Sequence, residues 1–112
     1  MDTHDPLQHL PARAVFDPSK MTKIDCFRST RLLVGLNCFE RGQAQRVHTH
    51  AGADKFYFVV SGKARFVVGA RVFEAAAGDL VEAPEGVPHG VDLALERTVL
   101  LVGIAPAPGA SG

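Results

Sequence analysis

Between Met21 and Ala105 no pattern lasts long: short apolar and β-branched runs alternate with breaks built on glycine, proline or polar residues. TKIDCF and LLVGLNCF come first, separated by the polar RSTR. After the loop FERGQAQ follow RVHTH, KFYFVV, ARFVV, RVFEA, DLVEA and ERTVLLVGIA, parted by SGK, VGA, AAGD and APEGVPHG. Runs this short, recurring about every ten residues between turn signals, suit strands. No segment carries the 3.6-residue apolar period of a packed helix. The spacing predicts an all-β domain, an antiparallel sandwich or barrel. At 112 residues and 46% apolar composition, the chain has material for one modest core and no second domain.

The flanks differ. Residues 1–20 contain Pro6, Pro11 and Pro18, which discourage a long helix. This segment is expected to be an N-terminal arm, extended or partly helical, lying against the domain or a partner subunit. The barrel domain is expected over residues 21–106, and the end of APAPGASG, residues 107–112, as a disordered tail. Within the domain, Phe56, Tyr57, Phe58, Val59 and Val60 are apolar at every position. A strand sends neighbouring side chains to opposite faces, so both faces of this one need cover. The barrel interior covers one; the arm or a second copy must cover the other, and a homodimer is expected.

Charge excludes some partners. Twelve basic and twelve acidic residues cancel, leaving no bulk field for nucleic acid or anionic lipid. The longest apolar run, Val99 to Ala105, is far short of a membrane span. MDTHDPLQHL lacks the basic start and apolar stretch of a signal peptide, so a cytoplasmic protein is expected. Cys26 and Cys38 make no disulfide framework and are expected to be reduced and buried, with a cross-strand pairing as the alternative.

Histidine placement points to chemistry. His48 and His50 lie two apart on an expected strand, so both imidazoles face one side and can grip a single ion. Alone, such a pair is commonly a surface feature of an edge strand. Further on, GDLVEAPEGVPHG uses Gly78, Pro84, Gly86 and Pro88 to form a tight turn that delivers His89.

Taken together, Gly42, His48, His50 and Gly62, then Gly78, Pro84, Gly86 and His89, resemble the two motifs of the cupin family. Those motifs read G-x5-H-x-H-x3/4-E-x6-G and G-x5-P-x-G-x2-H-x3-N. The resemblance runs from about residue 25 to 105. It implies a double-stranded β-helix, or jelly-roll barrel, with a metal ion in its mouth and a small molecule as ligand or substrate. By the same resemblance, His48, His50 and His89 are three of four protein ligands. Two positions depart from the pattern. Leu93 replaces the final asparagine, which is not a ligand, and Lys55 stands at the glutamate.

Lys55 changes the electrostatics. An ammonium ~5 Å from a divalent ion at an effective dielectric of about 20 is repelled by roughly 7 kcal/mol. Deprotonating lysine at pH 7 costs about 4.6 kcal/mol from its ordinary pKa. Three outcomes are open: the side chain swings out to water, it stays inside and loses its proton, or the ammonium binds an anionic ligand in a site without metal. The shorter motif spacing would instead select Asp54, though strand parity turns it away from the face of Lys55. Three neutral imidazoles suffice for a catalytic zinc site, and some iron members of the family use three histidines. Loss of the carboxylate shifts preference from manganese toward zinc, iron, nickel or copper.

Other residues are read as follows. Tyr57 offers a hydroxyl to the pocket if it shares the face of Lys55, and is otherwise a core or interface aromatic. Glu82 is an edge charge or a pocket acid; Phe66 and Phe73 are core; His4 and His9 are solvated arm residues. Two functions are consistent with this reading. One is a mononuclear metalloprotein, a dioxygenase, isomerase or lyase acting on a small polar metabolite. The other is a non-catalytic barrel that captures a small anion with little or no metal.

Overall fold

A computed structural model describes residues 5–109. Among the described residues nine strands follow one short helix: α1 Leu10–Arg13, then β1 Thr22–Arg28, β2 Leu33–Phe39, β3 Gln45–His48, β4 Asp54–Ser61, β5 Lys63–Val68, β6 Arg71–Ala76, β7 Leu80–Ala83, β8 His89–Ala94 and β9 Thr98–Ala105. They build two sheets with antiparallel pairing throughout, in the orders β1-β2-β9-β4-β7 and β3-β8-β5-β6. This is the jelly-roll barrel that the motifs imply.

The core fills the space between the sheets. Phe39, Tyr57, Val59, Phe66, Val91 and Leu100 are all fully buried there, and the half-buried Phe73 packs against them. Strand alternation sets this up. On β4, Lys55, Tyr57 and Val59 are buried, while Asp54 and Phe56 are exposed and Phe58 and Val60 half-buried. Gly62, between β4 and β5, shows why one motif position must be glycine. Its φ is +89°, and a Cβ there would lie 2.2 Å from the carbonyl oxygen of Arg97.

One strand went unread in the sequence. His89–Ala94 looks like the end of a turn because His89, Gly90 and Asp92 interrupt its apolar pattern. It is in fact an inner strand of the smaller sheet, paired with β3 on one side and β5 on the other. Gly90 permits that packing: a Cβ would meet Gln45 O at 2.8 Å and Val47 backbone atoms at 2.9 Å.

The outer face of the larger sheet is covered in part. Leu10, Ala14 and Phe16 of the arm pack with Leu36, Cys38, Val99, Val60 and Leu101. Polar contacts pin the arm in place. Gln8 Nε2 donates to Cys26 O at 2.7 Å, Gln43 Nε2 donates to Asp17 O at 2.7 Å, and the Arg97 guanidinium lies 3.9 Å from the centre of the Phe16 ring. Beyond the arm, one row across the sheet pairs Phe27 with Val34, Val34 with Gly103, and Gly103 with Phe56. Phe27, Phe56 and Leu80 stay exposed on this face.

Both cysteines are free thiols, buried on the arm side of the sheet, and burial pushes the Cys26 thiol up. Of the expected tail, residues 107–109 are described: Ala107 is buried and Pro108 O accepts from Arg28 Nη1 at 3.0 Å. His9 is exposed at the start of α1, and His4 lies outside the described residues. No helix is long and apolar enough to cross a membrane among the described residues.

Candidate metal centre

His48 and His89 are direct cross-strand partners at one end of the β3–β8 ladder. His50 lies past the end of β3, in the loop before β4, so strand parity does not aim it. That loop is instead tied to the second motif. Gly86 N donates to His50 O at 3.1 Å, Gly52 N to Glu85 Oε2 at 2.7 Å, and Glu85 N to Asp54 Oδ1 at 2.9 Å. The turn around Pro84 and Gly86 therefore does two jobs: it delivers His89 and it fixes the loop that carries His50.

The three rings converge. Their centroids stand 4.8 Å apart for His48–His50, 4.5 Å for His48–His89 and 5.3 Å for His50–His89. The candidate ligand atoms all lie within 4.8 Å of one another, and the Nε2 atoms of His48 and His50 are 3.1 Å apart. Two nitrogens sharing one ion at ~2.1 Å each stand roughly 3 to 4 Å apart, so this pair has the spacing of co-ligands.

Proton placement favours the same outcome. The Nδ1–H of His48 donates to Arg46 O at 2.8 Å, and that of His89 to Val87 O at 2.9 Å. A ring whose Nδ1 carries the proton presents a bare lone pair at Nε2. His89 is fully buried, and among the described residues its Nε2 has no hydrogen-bond partner. A buried acceptor without a partner is destabilising unless something fills the place. The donor set thus fits a divalent ion held by three neutral imidazoles.

Burial holds the His89 and His50 rings neutral. It pushes the His89 pKa down to about 4, against a hydrogen bond to Val87 that acts in the opposite direction; the charges of Lys55, His48 and His50 push it down further. His50 is also lowered, by burial first and then by His48, Lys55 and Lys23. A pH dependence follows in metal-free protein. The unfolded chain takes up a proton on His89 near pH 6.5, while the folded chain resists until about pH 4. Falling pH therefore favours unfolding across that window, by no more than about 3 kcal/mol. Urea-denaturation midpoints measured from pH 7 to pH 4 are expected to fall more steeply for the native chain than for His89→Gln; equal slopes would show that His89 is not held neutral.

Lys55 reaches the site from the opposite sheet. It is 6% exposed, with its ammonium 4.4 Å from the centre of the Tyr57 ring. Of the three outcomes open to it, the structure removes the swing to water: the side chain stays inside. Burial and then Lys23 push its pKa down to about 8, so it retains most of its charge at neutral pH. Tyr57 shares its face, but the hydroxyl donates to Gln45 Oε1 at 2.5 Å, and burial pushes the phenol up. Asp54 points away from the three histidines and caps the Glu85 amide, as its strand parity requires. Glu82 is exposed on β7, beside Phe56, as an edge charge. Gln45 and Glu85 were not singled out in the sequence. Both fall at unspecified positions of the motifs, and only the folded contacts give them roles.

Beside the histidines lies a cavity of about 610 Å³ that Lys55, His48 and His50 help to line. Its volume suits a small molecule rather than a polymer.

Comparisons with known proteins agree with this architecture. The family model described as Cupin domain matches residues 35–102, more than half of the chain. The Streptomyces coelicolor protein SCO3923, which is uncharacterised, is 35% identical over 79 residues, covering 70% of this chain and 74% of that one. The crystal structure of TT1209 from Thermus thermophilus superposes with a TM-score of 0.86 at 40% identity, covering 91% of this chain and 98% of that chain. An RmlC-like cupin from Desulfovibrio desulfuricans gives a TM-score of 0.75 at 30% identity, covering 95% and 97% of the two chains. The chain belongs to the cupin-domain family.

Proposed function

We propose that this chain is a mononuclear metalloprotein in which His48, His50 and His89 hold one divalent ion, zinc, iron, nickel or copper, for a reaction on a small polar metabolite. The reaction class is that of a dioxygenase, isomerase or lyase. The observation that carries this reading is the orphaned Nε2 of a fully buried His89, aimed at two further imidazoles. An ion held there supplies Lewis-acid polarisation of a bound oxygen atom.

The chain's own residues do the rest. Arg46 O and Val87 O hold the protons of His48 and His89 on Nδ1, away from the centre. Burial keeps His89 uncharged, so it presents a ligand rather than a cation. Tyr57 stays protonated and braces Gln45. The cavity that His48, His50 and Lys55 help to line has room for a small substrate.

Protein made without a histidine tag or chelating resin tests the reading. Elemental analysis is expected to return close to one equivalent of metal per chain. A content below about one tenth of an equivalent, in medium supplemented with all four metals, favours the metal-free binding module instead.

The homodimer remains part of this proposal. The row Phe27–Val34–Phe56, with Leu80, is the apolar surface that the arm leaves open, and a second copy would cover it. Equilibrium sedimentation is expected to give twice the 12.0 kDa chain mass. A monomer mass at micromolar concentration removes this part of the proposal.

A further inference from the structure

Lys55 is a charge without a counter-charge. It is buried, and among the described residues no carboxylate pairs with it within 4.0 Å. Its one close partner is the face of Tyr57. A cation over an aromatic face recovers about 0.5 to 2 kcal/mol, while removing an ammonium from water costs several. The ammonium therefore sits in the barrel under-compensated, next to an open space.

That space is biased toward anions. Lys23, Arg28, Arg46 and Lys55 line it against a single carboxylate, Asp25, which is itself 3.6 Å from Arg28. Four cations less one carboxylate leave a net three positive charges around a small cavity. Gln45 lines the same cavity, and among the described residues its buried Nε2 has no acceptor. Leu33, Val102 and Ile104 add an apolar wall. Such a lining accepts a compact anion with a short hydrocarbon body.

We infer that the cavity binds a small aliphatic carboxylic acid carrying an oxygen on its second carbon, a 2-hydroxy or 2-oxo acid, with the carboxylate on Lys55 and the second oxygen toward the histidines. The acid supplies, from outside the chain, the negative charge that the family's glutamate would have supplied from within. Of these four cations Lys55 alone is buried, and its ammonium with the amide of Gln45 suits a monoanion, whereas a phosphate would call for more convergent donors. The contact of the second oxygen rests on the metal-site reading above; the contact of the carboxylate with Lys55 does not.

Calorimetric titration at pH 7 with 2-hydroxybutyrate and its neutral amide, 2-hydroxybutyramide, tests the carboxylate contact, and butyrate, which lacks the second oxygen and is expected to bind zinc-loaded protein more weakly than 2-hydroxybutyrate, tests the other. Metal-free protein, freed of chelator by dialysis, and zinc-loaded protein are each titrated, native and Lys55→Met. In native protein the acid is expected to bind roughly 10- to 100-fold more tightly than the amide, with or without zinc, because a charged hydrogen-bonded pair is added. Lys55→Met is expected to erase that preference while still binding zinc. Should zinc fail to bind at all, the preference in metal-free native protein still reports on Lys55 alone. Equal affinity for acid and amide in the native chain overturns the inference. So does a preference that survives in Lys55→Met, which would assign the anion contact to the ion, or inorganic phosphate binding more tightly than the acid.

Discussion

Replacing both His48 and His89 with alanine is expected to weaken divalent-metal binding by roughly four orders of magnitude. Structural zinc sites with four protein ligands bind with about 10 to 16 kcal/mol, so each ligand accounts for about 3 kcal/mol, or roughly a 200-fold change in affinity. Two losses multiply to about 4 × 10⁴, less whatever water recovers in the vacated positions. The fold should survive. His48 is half-buried at a strand end, and His89 is the one whose removal leaves a cavity. Competition against a fluorescent zinc chelator gives the affinity, and circular dichroism confirms that the strands remain. A double variant that keeps zinc within tenfold of the native chain would place the ion elsewhere.

The second large effect runs in the opposite direction. Lys55→Glu is expected to tighten metal binding by at least 100-fold, because a repulsive charge becomes an attractive ligand on the same interior strand position. By Coulomb's law the removed repulsion alone is several kcal/mol at ~5 Å and a dielectric of about 20. Relaxation of the long lysine stem takes back part of this, so 100-fold is a floor rather than the full Coulomb figure. Lys55→Met removes the repulsion without adding a ligand, and its affinity should fall between those of the native chain and Lys55→Glu. That rank order is the useful readout. Identical affinities across the three would mean that Lys55 does not face the ion. If Lys55→Glu binds metal tightly, it should also lose the acid preference, since the carboxylate then occupies the place of the anion.

Much of this was legible before any coordinates. Strand count and turn spacing gave the all-β class because glycine and proline punctuate a chain wherever φ must change sign or a ladder must stop. The convergence of the three histidines was legible through the resemblance to the family's two motifs, since His48 and His50 fall in one and His89 in the other. Strand parity puts Asp54 and Lys55 on opposite faces, and the structure has Asp54 exposed and Lys55 buried. The same rule was less apt for His48 and His50. Their strand ends at His48, and hydrogen bonds from Gly86 and to Glu85 hold the His50 loop instead.

The misses have a common cause. β8 was hidden because a strand buried on both sides by neighbours tolerates glycine and histidine wherever backbone approach or ligation asks for them. Gln45 and Glu85 fall at unspecified positions of the motifs, and their roles consist of partners far away in sequence. Where Lys55 would go was likewise open: its stem is long enough to reach either solvent or the interior.

The sequence by itself determined the class of fold and the family of the barrel, and its resemblance to the family's motifs picked out the three histidines that come together, because local turn chemistry and side-chain type are written residue by residue. Only the tertiary structure decided that Lys55 turns inward, that Asp54 accepts from the Glu85 amide, and that among the described residues Lys55 meets no acidic partner and the buried Nε2 of His89 no hydrogen-bond partner. Those outcomes depend on which surfaces from distant strands meet. Burial, and with it the energy of a charge or a lone pair, belongs to that meeting and to no single stretch of chain.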